Sequence, residues 1–178
     1  MRKSLIVLGI LDDSDIEWMI RVGTKQTIAA GTTIIYEGKE IAALFIVLSG
    51  NLTVTAHGTQ VALLSVGEVV GEMSLIDARP PSATVTAAEE SVILSIPRDD
   101  IDARLSEDVG FAARLYRALA VFLSSRLRTT VSNLGFGGKS RLDESVRDED
   151  EIPMDLLENV TLAGMRFTHL QEHARSAR

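Results

Sequence analysis

The 178 residues are 46% hydrophobic and 24% charged, enough for one sizeable core with an appendage. A net charge of −7 gives no global basic field, so no nucleic-acid or anionic-membrane partner is expected. With no cysteine, disulfides, thiolate metal sites and thiol nucleophiles are excluded. The start, Met1-Arg2-Lys3-Ser4 then Leu5 to Leu11, imitates a secretory signal. Its apolar run is short and ends in Asp12-Asp13 rather than in small residues. No stretch approaches the ~20 apolar residues that span a bilayer, so no membrane insertion and a cytoplasmic location are expected. Residues 5–23 predict a helix with Leu11, Ile16, Met19, Ile20 and Val22 on its apolar face and Asp12 or Ser14 as N-cap.

From Gln26 the pattern turns to short β segments: 27–28, 32–36, 44–48, 52–56, 61–64, 83–87 and 92–96. Turn signals divide them, among them Gly31, Glu37-Gly38, Ser49-Gly50, His57-Gly58 and Val66-Gly67. Closely spaced short strands predict a mainly β barrel, roll or sandwich. Pro97 suits the first turn of a helix starting near Arg98. A longer helix is predicted over 110–134, where Ala112, Leu115, Leu119, Phe122, Leu123, Leu127, Val131 and Leu134 recur at three- and four-residue steps. These elements make residues 1–134 one domain. Residues 135–152 read as a flexible linker containing the acidic run 143–151.

A last amphipathic helix is predicted over 153–178, with Leu156, Leu157, Val160, Ala163, Gly164, Phe167 and Leu170 in one stripe. That stripe must dock on its own domain, on a dimer mate or on a protein partner. Read as a docking element that serves a partner, it should be removable without unfolding the rest.

Two motifs suggest chemistry and fail on context. His169-x-x-Glu172-His173 matches an inverted zinc-protease pattern, but no third ligand follows and His57 is the only other histidine. Gly135-Phe136-Gly137-Gly138-Lys139-Ser140 ends like a phosphate loop, but position 133 is Asn133 where the spacing needs glycine. No catalytic residues, metal or cofactor are therefore assigned, and the chain is read as a non-enzyme.

The most specific signal is the run Gly71-Glu72-Met73-Ser74-Leu75-Ile76-Asp77-Ala78-Arg79-Pro80-Pro81-Ser82-Ala83-Thr84-Val85. It resembles the phosphate-binding cassette of the cyclic-nucleotide-binding domain family. Gly71, Glu72, Ser82, Ala83, Thr84 and Val85 fall in register, whereas the family's phosphate-gripping arginine falls on Pro81. Gly31-x-x-Ile34-x-x-Glu37-Gly38 and Leu44 to Gly50 resemble the family's opening hairpins, so the resemblance covers residues 10–132. It implies a double-stranded β-helix (β-roll or jelly roll) with an N-terminal helix, a long C-terminal helix and an appended terminal helix. It also implies that the long helix forms a homodimer seam and caps a nucleotide base, with Thr129 or Thr130 as the base contact. The Asp-Ala-Arg-Pro-Pro-Ser-Ala-Thr-Val form is shared by stand-alone bacterial members without a helix-turn-helix, some beside bacteriocin transport systems.

The residue types suit such a ligand. Gly71 permits close backbone approach, and Glu72, an acceptor only, suits a ribose hydroxyl and repels phosphate. The Ser82 hydroxyl and Ala83 N–H can donate to phosphate oxygens. The candidate ligand residues are thus Gly71, Glu72, Met73, Ser74, Arg79, Ser82, Ala83, Thr84 and Thr130, with cyclic AMP or cyclic GMP as ligand. Losing a charged phosphate contact costs ~2–5 kcal/mol, or tens to thousands of times in affinity. Arg79, two residues before Pro81, is the one rescue within the cassette. The readings are a regulatory sensor acting on a protein partner and, alternatively, a ligand-independent dimerisation module. A DNA-binding regulator is disfavoured, because the segment after Leu134 shows no helix-turn-helix.

Overall fold

Two helices open the chain where one was expected. In the computed structural model, which describes residues 6–135 and 154–176, helix α1 (Ile6–Ile10) stops and α2 (Asp13–Val22) restarts. The restart is a reciprocal cap: the Asp15 N–H donates to the Asp12 carboxylate and the Asp12 N–H to that of Asp15, both at 3.0 Å. The strands are β1 (Thr24–Ile28), β2 (Thr33–Ile35), β3 (Ala43–Ser49), β4 (Leu52–Ala56), β5 (Thr59–Leu64), β6 (Val69–Val70), β7 (Thr84–Ala87), β8 (Ser91–Pro97) and β9 (Arg175–Ser176). The helices after α2 are α3 (Glu72–Asp77), α4 (Arg98–Glu107), α5 (Val109–Gly135) and α6 (Met154–His173). The two-residue strands β6 and β9 carry no period that a sequence could show.

The strands form a five-stranded sheet, β6-β3-β8-β1-β9, and a four-stranded sheet, β2-β7-β4-β5. Strands β3 and β8 are antiparallel neighbours, with Leu44 opposite Ile96 and Ile46 opposite Leu94. Strand β3 is apolar on both faces because both faces are covered, and β8 sets Val92, Leu94 and Ile96 on one face and Ile93 between Ser91 and Ser95 on the other. Val47 and Ile93 point between the sheets and join Ile35, Leu52, Leu64 and Val85 in one core. Leu44, Ile46, Leu48, Leu94 and Ile96 point the other way, into a second core with the helices. This is the predicted β-roll with flanking helices.

The helical layer is fixed by a buried acid. Asp15 is fully buried and holds Arg104 of α4 at 2.8 Å and Arg114 of α5 at 2.7 Å. The Arg104 guanidinium also lies 4.8 Å from the Trp18 ring centroid and 4.2 Å from that of Phe111. One acid therefore ties α2 to both α4 and α5.

The terminal helix corrects an expectation. Ala163, Phe167 and Leu170 are buried in the helix-side core, against α1 and α2. Arg166 donates to the carbonyls of Leu8 at 3.0 Å and Leu11 at 2.5 Å, satisfying the end of α1, and pairs with Asp13 at 2.8 Å. Beyond it β9 runs parallel to β1, Thr24 opposite Arg175. The described part of the stripe assigned to a protein partner, Ala163, Phe167 and Leu170, is thus occupied by the chain's own helices. The phosphate-loop-like Gly135–Ser140 run and the acidic linker fall at 136–153, outside the described residues save for Gly135. Among the described residues no helix is long and apolar enough to cross a membrane.

Two outcomes follow. Asp15→Ala leaves two arginines facing an apolar gap and should lower stability by ~3–5 kcal/mol, read as a shifted urea midpoint. Phe167→Ala should lower it by ~3–5 kcal/mol. Deletion of 154–178 should lower the midpoint as well, and an unchanged midpoint would restore the removable docking helix.

Candidate functional site

The site forms where the chain leaves one sheet for the other. After β6, Gly71 takes φ 91°, a left-handed conformation that favours glycine. A side chain there would also stand 2.7 Å from the Ile41 Cδ1 and 3.1 Å from the Ala43 carbonyl. Helix α3 follows for six residues and ends at Ala78, φ 55°, whose N–H donates to the Ser74 carbonyl at 3.1 Å. The chain returns through Pro80 and Pro81, and the Pro81 carbonyl accepts the Gly38 N–H at 2.8 Å. Strand β7 then begins.

This excursion encloses a cavity of about 140 Å³. Ile35, Val54, Leu64, Val70 and Val85 give it an apolar floor from both sheets. Gly71, Glu72, Met73 and Ser74 form one wall, Pro81, Ser82 and Ala83 a second, and Arg126 of α5 closes it. Glu72 is 3% exposed, and its carboxylate accepts from Arg126 Nη1 at 2.9 Å. Burial pushes the Glu72 carboxyl above the usual carboxylate range, and the Arg126 charge works against that rise. The Arg126 guanidinium lies 4.9 Å from the Phe122 ring centroid and its side chain is 32% exposed.

Six of the nine sequence-predicted residues meet at the cavity: Gly71, Glu72, Met73, Ser74, Ser82 and Ala83. Three do not. Arg79 is exposed and off the lining, because the left-handed Ala78 and a 3.0 Å bond from the Arg79 N–H to the Asp77 carboxylate turn it outward. It does not take the place of the missing arginine in this structure. The Thr84 hydroxyl instead accepts the Glu37 N–H at 3.1 Å, bracing the turn after β2. Thr130 is exposed and donates to the Arg126 carbonyl at 3.0 Å, within its own helix. His169, the first residue of the zinc-like motif, pairs with Glu17 of α2 at 2.7 Å and so serves the docking of α6.

Arg126 is the functional residue that sequence reading missed. It lies four residues after Phe122 and seven after Leu119, both buried, and so continues the inward face of α5. An arginine extending a buried stripe was the available signal.

Fold and site together make a β-roll whose cavity is shared between a cassette and a C-terminal helix. Residues 25–108 match the family model described as the cyclic nucleotide-binding domain. The chain is similar to the cyclic AMP receptor protein of Thermus thermophilus, 36% identical over 133 residues that cover 72% of this chain and 59% of that one. The crystal structure of the Thermus thermophilus catabolite activator protein superimposes with TM-score 0.57 at 29% identity, covering 70% of this chain and 59% of that one. A cyclic nucleotide-binding domain from Methylobacillus flagellatus gives TM-score 0.67 at 18% identity, covering 79% and 85% of the two chains, a likeness of fold alone. The chain spans only part of its curated relatives, 59% of the receptor protein and 8% and 37% of two others it matches.

Proposed function

We propose that the chain is a non-enzymatic sensor that binds a cyclic nucleotide, cyclic AMP or cyclic GMP, in the cassette cavity. Its output is to a protein partner, relayed through α5. The observation that carries this reading is the cavity itself: Gly71, Glu72, Ser74, Ser82 and Ala83 converge on it, and a residue of α5 closes it. Occupancy therefore has a direct mechanical line to a 27-residue helix. With Ala163, Phe167 and Leu170 of α6 taken up internally, the outward face of α5 is the surface we assign to a partner or a second copy.

That face supports a homodimer. Tyr116, Leu127 and Val131 are exposed, and with Ala120 and Leu123 they step by three and four along one side of α5. Leu119 and Phe122 are buried in the chain's own core, so substitutions there report on the fold and not on a seam.

One observation favours the alternative of a ligand-independent module. Pro81 lines the cavity with no donor, and the cavity is smaller than the ~300 Å³ of an ordinary ligand pocket.

Calorimetric titration with cyclic AMP and cyclic GMP tests the reading. Saturable binding below about 1 mM supports the sensor, and its absence leaves the module. Pro81→Arg should raise nucleotide affinity at least ~10-fold by adding a charged phosphate contact. Light scattering should give about twice the 19.3 kDa chain mass, and Leu127→Glu should halve it without lowering the melting temperature. A monomeric wild type at tens of micromolar ends the dimer.

A further inference from the structure

The cavity is electrically closed. Of its lining residues Glu72 is the one acid and Arg126 the one base, and they neutralise each other at 2.9 Å. The remaining polar side chains are the hydroxyls of Ser74 and Ser82. The strands facing Glu72 contribute Ile35, Val54, Leu64 and Val85, none of which titrates, while Asp77 and Arg79 of the cassette are exposed and off the lining. A monoanionic phosphate ester entering this space would add one negative charge to a balanced pair.

We propose that the phosphate takes Arg126 from Glu72, and that Glu72 replaces the lost partner with a proton from solvent. This rests on the cyclic-nucleotide reading and assigns the anion contact to α5 in place of the cassette. Three properties of the pair favour the exchange. Arg126 cannot shed its proton, so its charge stays available to whichever anion is nearest. Its side chain is partly exposed, which leaves it the freedom to swing, and a movable wall is what a cavity of about 140 Å³ needs to admit a nucleotide. Glu72 is 3% exposed, so without the Arg126 charge burial favours its neutral form, against the backbone N–H groups of Gly71 and Glu72 that still donate to it. Burial already pushes this carboxyl upward while Arg126 foremost, and the backbone N–H groups of Gly71 and Glu72, hold it down, so removing Arg126 lets it rise further. The neutral carboxyl then donates as well as accepts, which suits a ligand hydroxyl.

The exchange makes anion binding consume a proton. A phosphodiester does not titrate near neutrality, so affinity should fall as pH rises, approaching about tenfold per unit between the free and bound values of the Glu72 pKa. Wild-type protein is titrated with the tighter of cyclic AMP and cyclic GMP in two buffers of different ionisation heat, which reads proton uptake directly. The matching uncharged nucleoside, adenosine or guanosine, is run alongside. The expected result is net uptake approaching one proton for the nucleotide and none for the nucleoside. Glu72→Gln should abolish the uptake. Arg126→Gln should weaken the cyclic nucleotide at least ~10-fold and leave the nucleoside within about twofold, with Arg126→Lys in between, each variant checked for a wild-type melt. Wild-type binding without proton uptake, or equal nucleotide affinity in Arg126→Gln, overturns the exchange and leaves the sensor reading standing. A wild type that binds no cyclic nucleotide overturns both.

Discussion

Strands β3 and β8 bury apolar side chains on both faces, and the rest of the molecule is arranged to cover them. Val47 and Ile93 require a second sheet on one side, and Leu44, Ile46, Leu94 and Ile96 require helices on the other. The first requirement creates the space between sheets in which a cavity can form. The second fixes where α5 must lie, because Phe111, Leu115, Leu119 and Phe122 fill the outer core. A helix of 27 residues is ~40 Å long, more than that core needs. Its excess carries Arg126 past the sheet to the cassette. The site is therefore a by-product of covering one sheet twice.

Two buried acids on different elements anchor that helix. Asp15 holds Arg114 near the start of α5, and Glu72 holds Arg126 twelve residues on, ~18 Å along the axis. The two anchors differ in kind. Asp15 is fully buried among Trp18, Phe111 and two arginines, so breaking it strands charge in an apolar setting. Glu72 faces a cavity, where a ligand can replace what is lost. Asp13, 81% exposed, also pairs with Arg166, and a pair so wet contributes little. What holds α6 is burial of Phe167 and Leu170 and the carbonyls of Leu8 and Leu11 on Arg166.

Much of this was legible in the residues. Alternation and turn glycines located the longer strands, and six residues of the cassette motif line the cavity. What stayed hidden depended on distance. The apolar stripe of α6 announced that the helix must dock, but its complement on α1 and α2 lies some 150 residues away and carries no local mark. The period of α5 merged two faces: Leu115, Leu119 and Phe122 point inward while Leu127 and Val131 are exposed, and the drift between them concealed Arg126. Arg79 looked suitable because it is near Pro81 in sequence, and only the left-handed Ala78 shows that the chain turns it away.

The proline at 81 alters more than one contact. Its carbonyl is held by Gly38, and the ring fixes the backbone as the chain re-enters β7, so the second wall is rigid and carries no charge. The first wall is fixed by Gly71 and the buried Glu72. Of the three sides, only the one contributed by α5 combines a formal positive charge with partial exposure. Under the proposed reading recognition and transmission are therefore not separable. Among the described residues lining the cavity the one formal positive charge is on α5, so an anion that gained it would engage that helix, whereas a cassette arginine could bind the same anion without disturbing it.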